Sequence, residues 1–209
     1  KVRMPGSPRY RQIKERARTL RLATVCEEAR CPNIGECWED GTATFMVMGE
    51  TCTRGCHFCA VSTAARPAPL DPMEPYNVAQ AIQEMDLDYV VITSVDRDDI
   101  PDGGASHFAA CIRAIRSRCT ETMVEVLIPD FRGPSLQRVV DAAPDVIAHN
   151  VECVESLTSR VRDPRAGYQK SLDVLEEIKR FDPTARTKSS LMVGIGETEP
   201  EMIAAMEDL

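Results

Sequence analysis

The chain has 209 residues, 43% of them hydrophobic and 5% aromatic, and a formal net charge of −8. That length allows one sizeable domain with a buried core. No apolar run approaches membrane-spanning length and no signal-peptide pattern opens the chain, which argues against a membrane role. Nine cysteines, six of them within 34 positions, do not suit the disulfide frameworks of small secreted domains. They predict metal-bound thiolates in a reducing compartment. The cytoplasm is expected, with a mitochondrial or plastid origin left open because the chain begins at Lys1.

Residues 1–22 carry eight basic side chains (Lys1, Arg3, Arg9, Arg11, Lys14, Arg16, Arg18, Arg21) against one acid, Glu15, while the remainder holds 17 basic and 32 acidic residues. Residues 8–22 predict a helix with Pro8 near its start. Its basic face is read first as solvated and second as a docking surface for an acidic protein. With Tyr10 as the one aromatic there, nucleic acid is not expected. Residues 23–44 show no clean period and are read as an irregular wrap.

Thr44–Gly49 predicts a short apolar strand, followed by a cysteine loop over 51–62 and a connection punctuated by Pro67, Pro69, Pro72 and Pro75. Helices are predicted over 76–86, 105–118, 134–142, 154–161 and 168–181 and from Glu199 onward. Strands are predicted over 89–93, 124–128, 146–151 and 190–194. Five βα units with continuously apolar strands imply a parallel sheet covered on both faces. Polar residues gather just after the strand ends, where barrels of this class build their sites. The expected organisation is a basic helix and cysteine segment over 1–44 and a partial α/β barrel over 45–209. The unpaired edge of a five-stranded barrel suggests that its C-terminal portion is missing.

Two cysteine triplets dominate the chain. Cys26, Cys31 and Cys37 follow a Cx4Cx5C spacing, and Cys52, Cys56 and Cys59 follow Cx3Cx2C. Each offers three soft ligands and no fourth. Structural zinc prefers four protein ligands, and His57 lies inside the second triplet's CxxC, where it would have to point elsewhere. A four-iron cluster on three thiolates keeps one iron open for chemistry. Cys111, Cys119 and Cys153 are read as small buried hydrophobes.

The Cx3Cx2C loop after the first strand of an α/β barrel resembles the radical S-adenosylmethionine superfamily. Cys26 to Trp38 and Gly49 to Cys59 resemble the signatures of the lipoyl synthase family. The likeness continues through Tyr89–Gly104, Pro129–Phe131, His149–Glu152 and Thr187–Glu197, essentially the whole chain. It implies a (β/α)6 barrel of the radical-enzyme type, partial here, with a cysteine-rich N-terminal extension. It implies a 4Fe–4S cluster on Cys52, Cys56 and Cys59 that cleaves S-adenosylmethionine, and a second, auxiliary 4Fe–4S cluster on Cys26, Cys31 and Cys37 consumed as sulfur donor. The reaction implied is a sulfur transfer to the sixth and eighth carbons of a protein-bound octanoyl group. Cofactor contacts are expected at Thr93, Ser94, Asn150, Glu152, Lys188, Gly194 and Gly196, with Arg54 and His57 tuning the cluster loop. For Asp96, Asp98, Asp99 and Asp102, an arginine-paired surface loop is favoured over a magnesium site.

The family pattern also carries a serine ligand in a C-terminal Arg-Ser-Ser-Tyr motif. This sequence ends before one, and Ser189-Ser190 is a superficial echo, so the fourth auxiliary ligand and part of the acyl tunnel are expected beyond Leu209. Implied partners are octanoylated lipoyl domains of 2-oxoacid dehydrogenases and the glycine-cleavage H protein, a flavodoxin or ferredoxin-type electron donor, and an iron–sulfur cluster carrier. Biotin synthase lacks the upstream triplet, and a ferredoxin would use four cysteines per cluster without a barrel.

Overall fold

A computed structural model describes residues 6–19, 23–28 and 31–209. Lys1, Arg3, Arg21, residues 20–22 of the expected first helix and Arg30 lie outside them.

Pro8 opens α1 (Pro8–Thr19), whose Ile13 and Ala17 are buried. The stretch expected to be an irregular wrap instead holds β1 (Ala23–Thr24), α2 (Val25–Glu28) and α3 (Ile34–Glu39). Each helix is too short to stand alone in water, so packing decides it rather than periodicity. Trp38, fully buried on α3, stacks on Tyr10 of α1 with centroids 4.9 Å apart.

Next come β2 (Thr42–Val47), the two-residue strands β3 (Thr51–Cys52) and β4 (Ser62–Thr63), α4 (Glu74–Met85), β5 (Tyr89–Ser94), α5 (Ala105–Arg118), β6 (Met123–Leu127), α6 (Pro134–Val140), β7 (Val146–Ala148), α7 (Glu155–Val161), α8 (Tyr168–Phe181), β8 (Thr187–Lys188) and α9 (Glu199–Asp208). In the main sheet β2, β5, β6, β7 and β8 lie side by side in chain order and parallel, with β1 antiparallel on the outer edge of β2. That is the barrel arrangement, with β1 covering its β2 edge.

Val90 and Ile92 on β5 and Val124 and Val126 on β6 are fully buried. They share the core with Val78, Ala81 and Ile82 of α4 and Phe108, Ile112 and Ile115 of α5. Cys111, Cys119 and Cys153 are buried.

The last strand differs from expectation. β8 covers Thr187–Lys188, and the predicted 190–194 stretch retains a single bridge, Leu191 to Glu152. Glu152 takes a left-handed φ of 72°, which breaks β7's line, and the Ser189 hydroxyl accepts the Val151 N–H at 3.2 Å. A side chain thus replaces a ladder bond where a longer strand would have continued. The expected boundary at 44/45 falls inside β2, whose register with β5 begins at Thr42.

Candidate functional site

At the carboxyl ends of β5, β6 and β7 lies a cavity of about 350 Å³. Cys52, Cys56 and Cys59 line it from the loop after β2, together with Thr93, Ser94, Asp96, Asp130, His149, Asn150 and Glu152 from the strand ends. The parallel topology makes this convergence: each strand delivers its next polar residues to the same mouth. Ser94 Oγ and Arg162 Nε on this lining are buried without a hydrogen-bond partner. Buried orphans of this kind mark a pocket built to be completed by a polar ligand.

The loop thiols sit in distinct surroundings. Cys52 Sγ accepts the backbone N–H groups of Asp96 (3.3 Å) and Arg54 (3.4 Å), and Cys56 Sγ accepts that of Asp163 (3.3 Å). Burial raises both thiols above their ordinary pKa, and these N–H donors oppose it. Backbone donors aimed at sulfur serve a thiolate better than a thiol. Cys59 is exposed.

Arg54 is the electrostatic hub beneath the loop. Its side chain is only 9% exposed and reaches Asp96 at 3.4 Å, Asp98 at 2.9 Å and the buried Asp130. Burial alone would lower the Arg54 guanidinium, but Asp98, Asp96 and Asp130 carry it upward. Burial would likewise raise Asp130, yet hydrogen bonds from His149 and Arg54 hold it well below the carboxylate range. Asp96 is raised by burial, against the pull of Arg54.

The acidic run is therefore an arginine-paired loop. Asp99 binds Arg97 through two 2.8 Å bonds, and Asp102 accepts the N–H groups of Gly104 and Ser106 as α5 begins. Glu152 is raised by burial, with its neighbour Asn150 acting in opposition.

Three expected contacts do not line the cavity. Lys188 binds Glu125 at 2.7 Å, whose other carboxylate oxygen accepts the Tyr89 hydroxyl. The N–H groups of Gly194 and Gly196 go to the Glu197 carboxylate. His57 is exposed, and its backbone N–H bonds the Val161 carbonyl at 2.9 Å.

In the first triplet the Cys31 N–H bonds the Cys26 carbonyl at 3.0 Å, and α3 starts three residues after Cys31 to deliver Cys37. Burial raises the Cys37 thiol, and the neighbouring Cys26 and Cys31 raise it further. The three thiols are thus within electrostatic reach of one another. The basic face of α1 is largely engaged within the chain: Arg9 pairs with Asp88, Lys14 with Glu27 and Arg16 with Glu84.

Among the described residues, the one set of three metal-type donors gathered within 4.8 Å of one another is Glu74, His107 and Cys111. Glu74 there accepts the Met48 N–H and bonds His107 at 2.6 Å, tying the end of β2 to α4 and α5. Neither cysteine triplet is drawn that tightly.

Arg162, Asp163 and Arg165 went unassigned in the sequence. Their signal was the charged run Arg162-Asp163-Pro164-Arg165 after a helix, which reads as an ordinary surface turn until the fold brings it onto the cysteine loop.

Residues 46–209 match the Radical SAM superfamily. The chain is 55% identical over its whole length to a lipoyl synthase of Marinobacter nauticus, spanning 61% of that protein. It is 57% identical to one of Myxococcus xanthus, spanning 70% of it. It is 54% identical to a mitochondrial lipoyl synthase of Drosophila erecta, spanning 57% of it. The crystal structure of methylornithine synthase superposes with a TM-score of 0.62 over 79% of this chain and 48% of that one, at 10% identity, which is a likeness of fold.

Proposed function

The chain belongs to the lipoyl synthase family of the Radical SAM superfamily, and from that premise we propose that its protein is a sulfurtransferase, inserting sulfur at the sixth and eighth carbons of a protein-bound octanoyl group. The observation that carries the proposal is the pair of three-cysteine sets, one lining the cavity at the strand ends and one with Cys26 on α2, Cys31 just before α3 and Cys37 on α3. Cys52, Cys56 and Cys59 would hold a 4Fe–4S cluster, and Cys26, Cys31 and Cys37 an auxiliary one. When bound, the clusters and S-adenosylmethionine supply hydrogen-abstracting radical chemistry and the sulfur atoms themselves.

The chain's own residues bind, orient and exclude water. Backbone N–H groups of Arg54, Asp96 and Asp163 stabilise anionic sulfur on Cys52 and Cys56. Ser94 Oγ and Arg162 Nε await polar partners, as the amino and carboxylate groups of a bound amino-acid moiety would supply. Asn150 and Glu152 present a paired acceptor and donor suited to a ribose. Thr93 lies beside Ser94 on the same lining. For Lys188, Gly194 and Gly196 the bonds to Glu125 and Glu197 support a structural role at the barrel wall in place of direct contact.

The substrates follow from the family: octanoylated carrier domains, served by a flavodoxin or ferredoxin-type reductant and a cluster carrier. Relatives include bacterial and mitochondrial proteins, and a reducing compartment of either kind keeps such thiols available. Among the described residues, no helix is long and apolar enough to cross a membrane.

The direct test is reductive cleavage of S-adenosylmethionine by the iron-loaded chain. Release of 5′-deoxyadenosine that is lost in Cys52→Ala supports the proposal. An iron-loaded chain that leaves S-adenosylmethionine intact in the presence of a strong reductant refutes it.

A further inference from the structure

We propose that Val161 to Arg165, the segment leaving α7, is a strap that orders the cysteine loop and sets the reduction equilibrium of the cluster held there; this rests on that loop being the cluster site. The loop has little hydrogen bonding of its own. Within it the Cys59 N–H bonds the Cys56 carbonyl at 3.1 Å and the Arg54 N–H bonds Cys52 Sγ at 3.4 Å, and no helix forms between Thr53 and Cys59.

The strap supplies what is missing, from more than a hundred residues away. The Val161 carbonyl takes the His57 N–H at 2.9 Å. The Asp163 carboxylate takes the Gly55 N–H at 2.9 Å, and the Asp163 N–H goes to Cys56 Sγ at 3.3 Å. Arg165 closes the ring, donating to the Thr53 carbonyl at 2.6 Å, to both Asp163 oxygens at 2.9 and 3.1 Å, and to Asp98 at 3.2 Å. Pro164 between them fixes one backbone angle, so Asp163 and Arg165 are presented together.

Burial makes the same point. Asp163 is 7% exposed although it belongs to a connection, and connections usually run in solvent. It bonds the loop at Gly55 and Cys56, while the equally buried Arg162 turns to Val151, Gly167 and Ser171.

The chemical consequence follows from where the N–H points. A cluster gains negative charge on reduction, and hydrogen bonds to its sulfurs favour the reduced form. Cys52 takes such bonds from its own loop and from the end of β5, whereas the donor to Cys56 belongs to the strap. Loosening the strap withdraws that donor. Asp163 and Arg165 are positioning residues in this account, acting through Cys56.

The test uses the chain with Cys26, Cys31 and Cys37 replaced by serine, so that one cluster is read. It compares Arg165→Ala and Arg165→Lys with the parent at matched iron occupancy, by dithionite titration followed by electron paramagnetic resonance. Lysine keeps the charge but cannot fork between Thr53, Asp163 and Asp98. Both variants are expected to shift the reduction equilibrium at least about tenfold toward the oxidised form, about 59 mV for one electron.

Parental behaviour in both variants, even with reduced iron uptake, overturns the strap's redox role and leaves only a structural one. A shift in Arg165→Ala that Arg165→Lys fully restores also overturns it, because charge alone then suffices. A parent chain that takes up no iron overturns the family-level proposal first, and the strap's role with it.

Discussion

Replacing Arg54 with methionine removes the cation that three carboxylates share. Arg54 and Asp130 are 9% and 4% exposed, so solvent cannot screen the charge left behind. Breaking one side of a buried pair costs about 3–5 kcal/mol. His149 at 3.4 Å and Lys170 at 3.5 Å remain near Asp130 and argue for the lower end, about 3 kcal/mol. With a urea slope of about 2–3 kcal/mol per molar, the unfolding midpoint of the metal-free, reduced chain should fall by about 1 M or more at pH 7.

The pH dependence carries a sign. In the parent, Asp130 is held below its unfolded pKa, so it contributes stability above about pH 4 and loses that contribution as the pH falls. In Arg54→Met burial is opposed only by His149 and Lys170, so the folded pKa of Asp130 moves up from its parental position and protonation relieves the buried charge. The gap between variant and parent should therefore narrow from pH 7 toward pH 4, and adding Asp130→Asn should recover much of the loss. A penalty under about 1 kcal/mol at pH 7, or a gap that widens on acidification, would refute the reasoning.

Gly104→Ala should cost about 1–3 kcal/mol in the same unfolding assay, because Gly104 has φ +85° and an added Cβ would sit 2.3 Å from the Met48 sulfur. A neutral substitution would mean that the α5 entry is not fixed as described. Asp145→Asn should cost about 1 kcal/mol at pH 7. Burial would raise Asp145, but Arg116 and the Val124 N–H lower it overall, so the difference should vanish as the pH falls below about 4. A difference as large at pH 3 as at pH 7 would assign the effect to shape instead of charge.

The barrel was legible where the sequence repeats a physical signal. Apolar runs such as Tyr89–Thr93 and Val124–Ile128 can only be strands covered on both faces, and α5 and α8 fall where Phe108, Ile112, Val174 and Ile178 recur at helical spacing. The six cysteines were legible because ligand chemistry tolerates few residue types. α2, α3 and the position of β8 were not, since each depends on contacts distant in sequence: Trp38 on Tyr10, and Ser189 on Val151.

The same distance hid part of the site. Asp163 lies 108 residues from the Gly55 amide it accepts, and nothing local to either announces the pair. Lys188, expected at the cofactor, instead meets Glu125 on a neighbouring part of the barrel wall. A lone cation on a barrel strand could satisfy either role, and its sequence neighbours do not distinguish them.

The most direct test is iron and acid-labile sulfide per chain after anaerobic reconstitution, with zinc measured in parallel. Two cubane clusters predict about eight of each, falling to about four when Cys26, Cys31 and Cys37 are replaced and to about four when Cys52, Cys56 and Cys59 are replaced. About four in the parent chain, unchanged by loss of the first triplet, would contradict the two-cluster account. Zinc with little iron under iron-replete conditions would contradict the radical-enzyme account altogether.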